Sequence, residues 1–296
     1  MENWLVDLET KRHEFLKFYK KFRTVNTVLM FVVLIAILPV MMFIMPIEGW
    51  GTWAAIIIVM VLLAGVFVYG NYMKKKTNAG AEKYIDEYYQ TVDKYVFESA
   101  DVKDYEQSTS AKFTTEQFVN AHILKYIGQS ASRNVVTYKV DDKSVAISDY
   151  VAYTYGTGRH KRLNALFVGK FIEADNKVED LQTLIFLKPK ISSEGATGPN
   201  DHDDLNTIID DQDIAIYSNK SKSQAVDKEV LSLLEKIPVG QHIVDLSLSI
   251  LAGKTYIAIS LSDRLMNVPL EQSVGIEAIN EYKKTIELIN KIISKL

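Results

Sequence analysis

The chain has 296 residues, no cysteine, 34 basic and 37 acidic side chains, and 48% apolar residues. Without a thiol there is no disulfide framework, thiolate metal site or cysteine nucleophile. Subtracting the 9 basic and 5 acidic side chains of residues 1–76 from the totals leaves the remainder with a net charge of about −7, so nucleic acid is not expected as a partner.

Residues 1–24 place Trp4, Leu5, Leu8, Phe15, Phe18, Tyr19 and Phe22 at helical spacing, with charges opposite. This predicts an amphipathic N-terminal helix that lies in the headgroup layer or packs on another helix. Residues 25–73 read as a two-span transmembrane hairpin. Its runs 25–45 and 53–72 carry no charge, and Pro46-Ile47-Glu48-Gly49-Trp50-Gly51-Thr52 joins them. A helix of roughly 20 apolar residues crosses about 30 Å of hydrocarbon, and in lipid an isolated apolar run must be helical. Pro39 predicts a bend. Trp50 and Trp53 mark one interface, Tyr69 and Tyr72 the other. A hairpin buried in a soluble core is the alternative, but such helices seldom run this long without a polar face.

Lys11, Arg12, Lys17, Lys20, Lys21 and Arg23 precede the first span, and Lys74, Lys75 and Lys76 follow the second. The turn between holds only Glu48. Basic flanks stay inside, so the expectation is a multi-pass cell-membrane protein with both termini cytoplasmic and its lysines near anionic lipid. The long charged segment ahead of the first span argues against a signal peptide.

Residues 74–110 read as a juxtamembrane helix and linker. Ile85, Tyr88, Tyr89, Val92, Tyr95 and Val96 repeat the helical pattern, which favours packing on the N-terminal helix as a short stalk; residues 101–110 are a polar linker. Residues 111–296 form a cytoplasmic α+β domain, an antiparallel sheet with packed helices, in one body or in two subdomains of about 111–190 and 205–296. Thr114 and Gln117 make a capping box for a helix running through Phe118, His122 and Leu124 to Gly128. From Asn134 the period becomes two. Residues 135–140 and 144–155 form a hairpin about Asp141-Asp142-Lys143, and strands 163–173 and 181–187 complete a meander of about four. A loop at 189–204, a strand at 213–217 and a helix at 224–237 follow. The hairpin of 242–250 and 254–261 and a helix at 275–293 end the chain.

The order of these pieces resembles a bacterial membrane-anchored family designated "domain of unknown function 3137". The resemblance rests on the two-span anchor, Asp149-Tyr150-Val151-Ala152-Tyr153-Thr154-Tyr155 with the Gly-basic turn, and Leu166-Phe167-Val168-Gly169-Lys170-Phe171 with Glu173-Ala174-Asp175-Asn176. It continues through Thr183-Leu184-Ile185-Phe186-Leu187-Lys188-Pro189, Ile216-Tyr217-Ser218 and Tyr256-Ile257-Ala258-Ile259. It brings no catalytic residue with it.

Candidate chemistry is sparse. Ala252-Gly253-Lys254-Thr255 looks like the end of a phosphate-binding loop, but Leu248 stands where the first glycine belongs, so a hairpin turn is expected. Arg159, His160, Lys161 and Arg162 crowd one turn and are anion or lipid contact candidates, against the plainer reading of a solvated hairpin tip. Asp201, Asp203 and Asp204, beside His202 and near Asp210, Asp211 and Asp213, offer weak Ca²⁺ or Mg²⁺ ligation; Leu205 and Asn206 break the EF-hand pattern, and a solvated acidic loop is the plainer reading. No His-Glu-x-x-His or Gly-x-Ser-x-Gly occurs, and the five histidines are scattered. No catalytic residue and no cofactor is expected. The functional expectation is a membrane-anchored binding protein with a protein partner or lipid headgroups. The alternative is a tethered enzyme acting on a phosphate ester or lipid headgroup. A transport subunit fits less well, because neither span holds an ionisable residue.

Overall fold

The computed structural model describes residues 3–47, 49–98, 102–108, 113–124, 127–155, 163–187, 205–210, 214–221, 225–239, 243–261 and 273–296. They fall into two compact units, Met1–Thr91 with Pro269–Val274 and Val92–Val268 with Gly275–Leu296.

The first unit is built on helix α1 (Asn3–Pro39) and most of helix α2 (Gly51–Glu98). No proline or capping glycine lies near residue 24, so the amphipathic stretch and the apolar run form one uninterrupted helix. Helix α2 likewise runs unbroken, past Gly70 and Gly80, from the second apolar run into residues 74–98. Pro39 lacks the N–H that the ladder needs, and a wider π turn follows over Val40–Ile44, where the Met45 N–H donates to the Val40 carbonyl at 3.2 Å.

Both helices are long and apolar enough to cross a membrane, and only 6% and 11% of their most apolar stretches are buried. Phe31, Ile35, Leu38, Met42, Phe43, Ile57, Val61, Phe67 and Val68 are each more than half exposed. A helix buried in a soluble core shows the reverse. The amphipathic ends do pack on each other: Leu8, Tyr84 and Tyr88 are buried, and the Phe15 and Tyr84 rings stack at 6.4 Å. Lys11 pairs with Glu87 at 3.5 Å, and Lys76 lies 5.8 Å over the Phe18 ring.

The second unit holds, among the described residues, nine strands: β1 (Lys103–Ser108), β2 (Gln129–Val140), β3 (Lys143–Tyr155), β4 (Leu163–Asp175), β5 (Thr183–Leu187), β6 (Asn206–Asp210), β7 (Ile214–Ser218), β8 (Ile243–Leu251) and β9 (Lys254–Leu261). They form one antiparallel sheet in the order β1-β2-β3-β4-β9-β8-β5-β7-β6. Helices α3 (Thr115–Asn120), α4 (Lys228–Leu234) and α5 (Ile276–Lys295) accompany it.

Several sequence expectations need correction. Residues 103–108 are an edge strand on β2 rather than linker; their charged side chains suit an edge that must not recruit another strand. The expected four-strand meander stops at three, because β9 takes the free edge of β4 and its hairpin mate β8 pairs with β5. Alternation announces a strand but not its partner. Helix α3 has the expected capping box, with the Gln117 N–H donating to Thr114 Oγ1 at 3.1 Å and the Thr114 N–H to Gln117 Oε1 at 2.9 Å. It ends at Asn120, and His122 adopts a left-handed φ of 57° instead of continuing it. Helix α4 starts late because Asp227 caps it, accepting from the Glu229 N–H at 2.8 Å.

Period-two alternation gives the sheet two interior faces. Against α3 lie Tyr150, Phe167, Phe171 and Tyr256, with Phe118 stacked on Tyr150 at 4.5 Å. On the other face lie Tyr138, Ile147, Ile172 and Ile257, covered by the buried stripe Ile279, Tyr282, Ile286 and Ile289 of α5 and by the end of α2, where the Phe97 ring meets Tyr138 at 5.0 Å. Burying each such side chain stabilises by roughly 1.5–3 kcal/mol. Gly169 of β4 has no room for a side chain beside β9: a Cβ there would fall 1.9 Å from the Ile259 carbonyl oxygen.

Candidate functional site: a buried charge cluster

The cluster begins with a defect in β2. Register skips between Arg133 and Val136, and Asn134 takes a left-handed φ of 54°, a conformation asparagine tolerates better than most residues. Ser148 ties the bulge down through its hydroxyl, 2.8 Å from the Arg133 carbonyl. The bulge lets Asn134 Nδ2 donate to Asp149 Oδ2 at 2.9 Å.

Asp149 and Lys170 are direct cross-strand partners on β3 and β4, so both side chains leave the sheet on the same face. Lys170 Nζ lies 2.7 Å from Asp149 Oδ1 and 3.8 Å from Oδ1 of Asp93, which comes from the end of α2. The Tyr282 ring of α5 covers the ammonium, its centroid 5.2 Å from Nζ. Arg133 Nε stands 3.9 Å from Asp149 Oδ2 at the more exposed margin. Both carboxylate side chains are 2% exposed and Lys170 is 7% exposed.

Two carboxylates therefore share one buried ammonium. Burial opposes the charge on Lys170, but Asp149 and Asp93 outweigh it and hold the ammonium well above the usual lysine range. Burial pushes the Asp93 carboxyl up to about 6; Lys170 pulls it down and Asp149 pushes it up. The Tyr282 hydroxyl is raised, chiefly by burial. The two carboxylates differ in support. Asp149 has a close ammonium, an amide donor and a guanidinium, whereas Asp93 has one distant ammonium contact and an Oδ2 with no hydrogen-bond partner among the described residues. The chemistry open to such a cluster is the exchange of one proton. The cluster is too enclosed to meet a substrate.

Arg159, His160, Lys161 and Arg162, and Asp201, Asp203 and Asp204, lie outside the described residues. Trp50, Trp53 and Tyr72 are exposed, as are Lys74, Lys75 and Lys76, while Tyr69 is half-buried. Trp53 and Tyr72 share α2 and stand about 29 Å apart along a helix rising 1.5 Å per residue. Ala252 and Gly253 form the tight turn between β8 and β9, with Gly253 at φ 76°, so Lys254 and Thr255 belong to a strand and not to a phosphate loop.

An open groove on the β1–β4 side of the sheet is lined by Asp104, Glu106, Lys139, Glu173, Asp175 and Lys254. Its lysines are engaged: Lys139 with Asp104 at 2.7 Å, and Lys254 with Glu173 at 2.7 Å and Asp175 at 2.9 Å. Among the described residues no group of three or more histidines and carboxylates is arranged to hold a metal ion.

Sequence reasoning passed over Asp93, Asp149, Lys170 and Tyr282. The signal was present: Asp149 lies at an inward position of the series Val145, Ile147, Asp149, Val151, and Lys170 lies at the matching place between Ile172 and Val168. No protein-family model, curated protein or solved structure matches this chain.

Proposed function

We propose that this chain is a membrane-anchored interaction protein that presents its α+β unit at the cytoplasmic face of the cell membrane. The observation that supports this most is the pair of helices with almost wholly exposed apolar stretches, Trp50 and Trp53 at one end and Tyr72 and Lys74–Lys76 at the other. That exposure is costly in water and favourable in lipid, and aromatic and basic residues belong at its two borders. Both termini are cytoplasmic in this reading, because the basic residues flank the hairpin and the turn has none. The partner is a protein or anionic lipid headgroups, met by the sheet unit and by the basic residues of the 156–162 sequence. The alternative of a tethered enzyme gains nothing from the open groove, whose lysines are already ion-paired.

In-cell proximity labelling tests the reading. A labelling enzyme fused after Leu296 is compared with the same fusion on residues 1–76. Neighbours enriched only by the full chain are expected. Identical neighbour sets, together with no binding of the full chain to anionic vesicles, would overturn it.

A further inference from the structure

We infer that Asp93, Lys170 and Asp149 form a proton-controlled latch on the last turns of α2: one proton taken up at Asp93 neutralises the cluster and clamps this helix end to the sheet, and its loss loosens the clamp. The inference concerns a device inside the second unit and does not depend on the membrane reading.

The geometry carries it. With both carboxylates ionised the interior holds two negative charges and one positive, an excess that an environment of low polarity penalises heavily. A proton from solvent bound at Asp93 Oδ2, forming one O–H bond and breaking none in the protein, leaves the Lys170–Asp149 pair balanced. Asp93 is the carboxylate that takes it. Asp149 has an ammonium at 2.7 Å and an amide donor at 2.9 Å, whereas Asp93 reaches Lys170 only at 3.8 Å and leaves Oδ2 unpartnered among the described residues. Asp93 is also the member that comes from a helix, so a change in its charge acts on how α2 is seated and not on the strand pairing of β3 with β4.

The surroundings make the response specific. Facing or adjoining the cluster are Lys170 on β4, Asp149 on β3, Arg133 on β2, Tyr105 on β1 and Tyr282 on α5; on its own helix Lys94 and Glu98 pair with each other at 3.6 Å at the surface. Tyr105 is pushed up to about 12 by burial and by Asp93, and Tyr282 and Lys170 are also raised. No histidine belongs to this set. Asp93, pushed by burial to about 6, is the member whose charge changes near neutrality.

The test uses the full chain in lipid nanodiscs and two readouts taken from pH 5 to pH 8. Difference infrared spectroscopy follows the carbonyl band of a protonated carboxyl, and hydrogen exchange, corrected for intrinsic rates, follows the amides of residues 92–98. The wild type is expected to show a buried carboxyl titrating near pH 6, with protection of residues 92–98 rising about tenfold or more on acidification through the same midpoint. Asp93→Asn, close in shape and permanently neutral, removes the band and keeps these residues protected at every pH. Asp149→Asn removes the negative charge that competes with Asp93 for the Lys170 ammonium and lowers the midpoint by about one unit or more. Protection that ignores pH in the wild type overturns the latch even if a carboxyl titrates. A titrating band that survives Asp93→Asn, or a midpoint unmoved by Asp149→Asn, overturns the assignment of the proton.

Discussion

Replacing Lys170 with methionine keeps most of the apolar stem and removes the ammonium with its charge and its donors. In the native cluster the ammonium stands 2.7 Å from Asp149 and 3.8 Å from Asp93, and both carboxylates are 2% exposed. The substitution leaves two buried acids facing each other, with the Arg133 guanidinium 3.9 Å from Asp149 and half-exposed. Removing one partner of a buried ionic group costs on the order of 3–5 kcal/mol, a large share of the roughly 5–15 kcal/mol that keeps a typical domain folded. The penalty must shrink in acid, where one or both carboxyls take a proton, and must be greatest near pH 8. Adding Asp93→Asn to Lys170→Met removes one stranded charge and recovers part of the loss. The triple variant with Asp149→Asn has no charge left in the cluster and returns close to native stability. Hydrogen exchange of the β3 and β4 amides in the full chain measures the opening free energy directly. A Lys170→Met protein within about 1 kcal/mol of the native one at pH 8, with no pH dependence, would refute the energetic account of the cluster.

Three further outcomes follow from the same geometry. Gly169→Ala drives a methyl to 1.9 Å from the Ile259 carbonyl, a backbone atom that cannot swing aside, so the midpoint of unfolding falls by the equivalent of about 3 kcal/mol; an unchanged midpoint in denaturant would show that β4 and β9 are not this close. Thr114→Ala removes the reciprocal cap of α3 and costs about 1 kcal/mol, visible as faster exchange at residues 115–120 and nowhere else in the sheet. For Asp93 the folded value of about 6 lies above the ordinary 3.8, so the folded state holds the proton more tightly. Its stabilisation is full below about pH 4 and is lost as pH rises through 6; of the roughly 3 kcal/mol in all, denaturant titrations at pH 4.5 and pH 7.5 read about 2 kcal/mol, which Asp93→Asn abolishes.

Much of the fold was legible because it rests on local chemistry. The hairpin of β8 and β9 is announced by alternating apolar residues on either side of Ala252-Gly253, and α5 by an isoleucine stripe of unmistakable period. The cap at Thr114 is a property of four consecutive residues. What stayed hidden depends on long-range pairing. That β9 and not β5 lies beside β4 is decided by contacts such as Lys170↔Ile259, between residues 89 positions apart. Strand β1 escaped because its side chains are polar and its contribution is backbone hydrogen bonding. The cluster was the hardest to see. Asp93, Asp149 and Lys170 each look like an ordinary charge in sequence, and only the sheet register and the seating of α2 bring them together. The residues that looked most like a site, Arg159–Arg162, stood out through local charge density, a signal that carries no information about enclosure.

The central claim is that residues 25–73 span the membrane with the sheet unit inside. Because the chain has no cysteine, single introduced thiols report topology without background. Thr52→Cys, at the exposed start of α2, and Ser294→Cys, on the exposed side near the end of α5, are treated in spheroplasts with a membrane-impermeant maleimide, before and after permeabilisation. The account predicts a membrane-bound protein in which Thr52→Cys labels in sealed spheroplasts and Ser294→Cys labels only once the membrane is opened. Recovery in the soluble fraction, or labelling of Ser294→Cys in sealed spheroplasts, would contradict it.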